Sequence, residues 1–80
     1  MVVNVLWQYT SADGSKWKDM DNYYSLLHEQ HLGSSKNIFT YEVTYARGTK
    51  VYHYSVDLWS MEQTNLDTGK VGKLRRVDLM

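Results

Sequence analysis

Tyr52-His53-Tyr54-Ser55-Val56-Asp57-Leu58-Trp59-Ser60-Met61-Glu62-Gln63-Thr64-Asn65-Leu66-Asp67-Thr68-Gly69 is the stretch that decides the fold. In its first part Tyr52, Tyr54, Val56 and Leu58 alternate with His53, Ser55 and Asp57. A period of two marks a strand with one buried face. Phe39, Tyr41, Val43 and Tyr45 repeat the pattern, separated by Thr40, Glu42 and Thr44. Arg47-Gly48-Thr49 between the two runs reads as a turn, and so does Asp67-Thr68-Gly69. Val71 to Leu79 then forms a last strand.

Upstream the reading changes. Val2-Val3-Asn4-Val5-Leu6-Trp7 is rich in β-formers. Ala12-Asp13-Gly14-Ser15 is a hairpin turn, because Asp-Gly tolerates positive φ, and Lys16-Trp17-Lys18 is the returning strand. Asn22 to Leu32 forms the single helix, with Asp21 as N-cap and Gly33 as its stop. Tyr23, Leu26, Leu27 and Leu32 supply its apolar side. Ser34-Ser35-Lys36-Asn37 is a polar loop. Strands on both sides of one helix predict an α+β fold: a strongly curved antiparallel sheet with the helix packed against it. Trp7, Leu27, Val43, Val56, Leu58 and Met61 fall on the apolar sides and are expected in the core.

Composition narrows the functional classes. Eighty residues make one small domain with a modest core. Seven Tyr, three Trp and one Phe must carry that core, since no Cys is present. No disulfide framework or Cys-based zinc site can form. No run of about 20 apolar residues is present, and no secretory signal pattern. Nine basic and nine acidic residues balance, so net charge points to neither nucleic acid nor membrane. Yet Lys70, Lys73, Arg75 and Arg76 crowd the C-terminal end, either as a solvated strand end or as an anion-facing group.

The candidate chemistry is thin. His28 and His31 can share a helix face, but a complete ligand set is hard to assemble, and helical His of this kind is expected at the surface or an edge. His53 lies opposite the tyrosine-rich face, with Asp57 as its potential same-face neighbour. There is no nucleophile elbow and no phosphate loop. Asp19 and Asp21 suit a helix start better than acid–base work. Neither catalytic residues nor a metal site or cofactor is expected. Aromatic rings in a concave sheet are better placed for binding: a ring can stack on a base, an amide can read an edge, and cations can neutralise phosphate.

Trp7, Trp17 and Glu29 precede a block that reads Tyr-x-Val-Asp from Tyr54, then Met61-x-Gln63-x-Asn65, then Thr68-Gly69, then Leu74-Arg75-Arg76. This constellation resembles the WWE domain, over about Leu6 to Arg76. The family is found in poly(ADP-ribose) polymerases and ubiquitin ligases, and many members recognise ADP-ribose units. The resemblance implies one domain over 1–80, with its core at about 6–77, folded as a half-barrel with a helix against one side. It implies a non-catalytic module, and such units usually sit inside longer proteins. Its implied ligand-binding residues are Tyr9, Trp17, Tyr54 and Gln63. The implied partner is poly(ADP-ribose), through its iso-ADP-ribose unit, or an ADP-ribose-like nucleotide. A protein partner is the alternative, for a WWE fold that has lost its ligand. Neither a membrane nor sequence-specific nucleic acid is expected. The implied setting is intracellular, nuclear or cytoplasmic. Glu29 would support the fold, and Trp7 and Trp59 would pack.

Two departures bear on the ligand. The family commonly carries an Arg where this chain has Gly72, and another where it has Thr10-Ser11-Ala12. Each charge-assisted hydrogen bond to phosphate is worth roughly 1.5–3 kcal/mol, so a site without both is weakened unless nearby Lys or Arg substitutes.

Overall fold

A computed structural model of the chain describes residues 4–11, 13–34, 37–44 and 50–79. Val2 and Val3, Ala12 of the first turn, Ser35 and Lys36, Tyr45 and the Arg47-Gly48-Thr49 turn lie outside the described residues. Among the described residues there are six strands: β1 (Val5–Thr10), β2 (Trp17–Asp19), β3 (Ile38–Thr44), β4 (Val51–Asp57), β5 (Glu62–Asn65) and β6 (Val71–Asp78). Helix α1 (Asn22–His31) falls between β2 and β3. The strands form one sheet in the order β2-β1-β6-β5-β4-β3. Every neighbouring pair is antiparallel.

The helix shows how far this sheet curls. The His28 ring lies 5.3 Å from Trp7 on β1, and 5.2 Å from both Phe39 and Tyr41 on β3. These two strands stand toward opposite ends of the sheet. Only a strongly curved sheet brings both onto one helix, so the expected half-barrel with a single helix is observed. With one helix against six strands the chain is mostly β, and α+β describes it loosely.

Alternation sorts the strand side chains. Trp7, Val56, Leu58 and Leu74 are buried with Met20, and Val5, Tyr9, Tyr24, Phe39, Tyr41 and Met61 pack around them. Trp7, Val56 and Leu58 are therefore core residues as expected. Leu27, Val43 and Met61 are only half-buried. Met61 sits in the β4–β5 turn in left-handed backbone, φ 57°. Val43 stands at the mouth of the concave side.

The helix corrects the sequence reading most. Its buried face is Ser25 and His28, and Tyr23 is 72% exposed. The reason lies in β1. Asp19 ends β2, so the backbone of Trp7 has no strand partner on that side. Met20 N–H donates to the Trp7 carbonyl (2.9 Å), and Trp7 N–H donates to Ser25 Oγ (3.2 Å). A small hydroxyl lets the helix approach that close, where Leu would not. A buried N–H without a partner is costly, so this bond outranks apolar periodicity. Asp21 makes no side-chain cap. Leu32 N–H closes on the His28 carbonyl, and Gly33 then takes φ 81°, the left-handed stop expected of it.

Trp59 is the other correction: it is 81% exposed rather than packed. Val56 and Leu58 point inward, so the residue after Leu58 points out. Asp57 Oδ1 accepts from Trp59 N–H (2.9 Å) and Ser60 N–H (3.3 Å), which fixes the turn. The strand β5 that follows was not distinguished in the sequence.

Candidate functional site

The concave side of the sheet holds a groove with two adjoining parts. One, about 410 Å³, is lined by Tyr9, Tyr24, Tyr41, Val43, Tyr54 and Gln63, with Asp19, Met20, Asp21 and Thr44 at its margin. The other, about 280 Å³, shares Tyr9, Tyr54 and Gln63 and continues to Thr10, Ser11, Asn65, Thr68, Lys70 and Gly72. Together they reach the size range of small-molecule sites, about 300–1,000 Å³.

Three strands bring the shared residues together. Tyr9 comes from β1, Tyr54 from β4 and Gln63 from β5. Gln63 pairs with Val56 on one side and Gly72 on the other, which centres it on the sheet. Its side chain is buried, and Oε1 accepts from the Tyr41 hydroxyl (3.0 Å). That bond orients the amide, with Nε2 as its donor end. Tyr54 pairs with Tyr41 across β3 and β4, and their rings stack at 5.5 Å and 24°. The floor is thus aromatic, with one oriented amide.

Trp17 is not brought to this groove. It pairs with Thr10, whereas Tyr9 pairs with Lys18. Neighbouring positions of a strand face opposite ways, so Trp17 stands on the convex side. There Arg75 lies over its ring, 4.2 Å from the centroid, and donates through Nε to Gln8 Oε1 (2.7 Å). Gln8 Nε2 in turn donates to Asp19 (2.6 Å). The expected groove set is therefore three residues in place and one on the opposite face.

The cations are distributed in the same way. Arg76 is held by Glu29, with Nε and Nη2 each 2.9 Å from its carboxylate. Trp7 Nε1–H donates to the same Oε1 (3.1 Å). The Arg76 hydrogen bond, with Trp7 adding to it, holds the Glu29 carboxyl below the usual carboxylate range. So Trp7, Glu29 and Arg76 tie β1, α1 and β6 together, and Glu29 does support the fold. Of Lys16, Lys18, Lys70, Lys73 and Arg75, only Lys70 lines the groove. It is carried by a turn in which Asn65 Oδ1 accepts from Asp67 N–H and Thr68 N–H.

Gly72 has a steric reason for being glycine. A Cβ there would stand 2.7 Å from the Thr10 carbonyl oxygen and 3.4 Å from its Oγ1. Thr10 Oγ1 also accepts from Lys73 N–H (2.8 Å), which draws β1 against β6. An Arg at this position would first have to separate the two strands.

Several groove residues escaped the sequence reading. Tyr41 was visible only as an alternating strand residue, although it is the cross-strand partner of Tyr54. Lys50 borders a continuation of the concave face with Tyr52, Tyr54 and Asn65, its ammonium 5.4 Å from the Tyr52 ring centre. No spacing signal marks it. Two of the histidines, His28 and His53, also differ from expectation. His28 is fully buried, not at an edge, and His31 stacks on Phe39 at 3.9 Å. His53 contacts Asp67 (3.3 Å) and Glu42 (3.4 Å), not Asp57. Among the described residues, no three His, Asp or Glu side chains are grouped to hold a metal ion. Nor is any described helix long and apolar enough to cross a membrane.

A family model described as the WWE domain matches residues 5–76, nearly the whole chain. This chain belongs to the WWE domain family. No protein with a curated description matches it. The WWE domain is a recognition unit, not a catalytic one, in a family known for protein interaction and ADP-ribose recognition. In this WWE domain the second named Trp, Trp17, carries Arg75 on the convex face. The first named Trp and the Glu are joined by a hydrogen bond.

Proposed function

We propose that this WWE domain binds an ADP-ribose-type ligand, the iso-ADP-ribose unit of poly(ADP-ribose), in the concave groove without catalysing a reaction. One observation carries the reading. Tyr9, Tyr54 and Gln63 line both parts of the groove, and Lys70 lines the part beside Gly72. The Tyr rings offer faces for an adenine, and Gln63 Nε2 offers a donor to a ribose or base acceptor. Lys70, with Lys50 nearby, supplies the charge for pyrophosphate. Both lysines are solvent-exposed and lack the bidentate fork of Arg. Binding is therefore weaker than with two groove arginines, and it falls with added salt. An intracellular setting, nuclear or cytoplasmic, goes with this ligand.

A second reading has its own observation. Trp59 is 81% exposed on a hydrogen-bonded turn, as befits a protein-interaction module that has given up the ligand.

Calorimetric titration with iso-ADP-ribose, ADP-ribose and ATP separates the two. Binding of iso-ADP-ribose that is lost in Tyr54→Ala and Gln63→Ala, weakened in Lys70→Ala and retained in Trp17→Ala supports the first reading. No heat with any of the three ligands removes it in favour of the second.

A further inference from the structure

The two edges of the sheet are built differently. The β2 edge is only three residues long, with Lys18 within it and Lys16 just before it. Short length and lysines are the usual protections of an edge strand. The β3 edge is seven residues long and reads Ile38-Phe39-Thr40-Tyr41-Glu42-Val43-Thr44. It has no Pro, no Lys or Arg and one carboxylate.

The register shows which backbone groups this edge offers. Leu58 N–H donates to the Asn37 carbonyl (2.8 Å), and Ile38 is the partner of Asp57. In an antiparallel pair, hydrogen-bonded and non-hydrogen-bonded positions alternate. Asn37, Phe39, Tyr41 and Val43 therefore turn their backbone toward β4. Ile38, Thr40, Glu42 and Thr44 turn theirs away. All four are exposed, and no described residue bonds their backbone groups. Their positions alternate with those of the groove-facing Tyr41 and Val43, and of the four only Thr44 reaches the margin of the concave groove.

The convex face beside the edge carries one sign of charge. On β3, β4 and β5 its charged residues are Glu42, Asp57 and Glu62, with His53, and Asp67 stands beside them on the following turn. Glu62 is paired opposite Lys73 of β6. Nearer the edge no described Lys or Arg balances Glu42, Asp57 and Asp67.

We propose that β3 is a docking edge for an extended polypeptide segment, which adds to the sheet as a seventh strand and presents Lys or Arg at alternate positions. Backbone N–H and C=O groups of Ile38, Thr40, Glu42 and Thr44 supply the affinity, and the carboxylates supply the selectivity. The segment runs antiparallel to β3, where directly opposed residues share a face and exchange backbone bonds, so the partner's basic residues are the ones whose backbone bonds to β3. A second copy of this chain fits worse. Pairing two β3 strands about Tyr41 places the two Glu42 carboxylates on one face with no cation added.

The test uses the whole chain and the peptide acetyl-Val-Lys-Val-Lys-Val-Lys-Val-amide. Amide hydrogen exchange at Ile38, Thr40, Glu42 and Thr44 is expected to slow by about tenfold or more at saturation, with the other amides little changed. N-methylation of the Lys amides abolishes this protection, and N-methylation of the Val amides spares it. Glu42→Lys weakens the peptide by roughly tenfold. Thr40→Pro abolishes docking, since it removes an outward donor but no bond to β4. Unchanged protection of Phe39 and Val43 shows that each variant keeps its sheet. The proposal is overturned if the four amides are not protected, if both methylated peptides bind alike, or if a Glu-for-Lys peptide binds as tightly. Protection of the same amides in the concentrated chain alone, with sedimentation as a dimer, would make the occupant a second copy and overturn the assigned partner.

Discussion

Acid should destabilise this fold through His28. Its ring is fully buried among Trp7, Phe39 and Tyr41. Nδ1–H donates to the Tyr24 carbonyl (2.7 Å), so the neutral ring keeps its bare nitrogen at Nε2. That Nε2 is buried without a hydrogen-bond partner among the described residues. Protonating it would place a cation between aromatic rings. Burial pushes the His28 pKa below the ordinary 6.5, His31 pushes the same way, and the Tyr24 bond opposes them. Above that ordinary value both the folded and unfolded chains hold His28 neutral, and the full stability is present. As pH falls below it, the unfolded chain takes up a proton that the folded chain refuses. Stability is then lost by up to about 1.4 kcal/mol per pH unit until the lowered folded pKa is reached. In a domain of this size each kcal/mol moves Tm by about 4–8 °C. The perturbation is His28→Phe, which keeps a ring and removes the titration. The Tyr24 carbonyl is not orphaned, because the helix bond to it remains. Urea midpoints of both chains at about pH 7.5, 6.5 and 5.5 give the slopes, and the natural chain should lose more stability than His28→Phe across that window. Parallel slopes, or a natural chain that gains stability on acidification, would refute the reasoning.

Leu58→Ala should cost about 2–4 kcal/mol in urea unfolding, and Leu27→Ala distinctly less, because Leu58 is buried and Leu27 only half-buried. Equal costs would show that the helix buries the leucine side after all. Gly72→Ala should cost about 1–3 kcal/mol by forcing the Thr10 carbonyl away from its position 2.7 Å from the new Cβ. A neutral result by thermal melting would show that β1 and β6 part easily there, and that Gly72→Arg is a usable way to add charge to the groove.

Local chemistry determined much of this protein from its sequence alone. Alternation in Phe39 to Val43 and Tyr52 to Leu58 is set by the pleat, so those strands were legible, as were the helix span and its Gly33 stop. Family spacing located Tyr9, Tyr54 and Gln63, which strands β1, β4 and β5 carry to one groove. What depends on partners far along the chain was not legible. The helix buries Ser25 and His28 because a Trp7 N–H without a strand partner and a ring of aromatics meet it there, and no helical period encodes that demand. Trp17 turned to the convex face because the β1–β2 register sets it one residue out of phase with Tyr9. At Gly72 a carbonyl on another strand stands where a Cβ would go, which the sequence does not show. Periodicity reports which side of an element is apolar, but register and close approach between strands decide what each side chain meets.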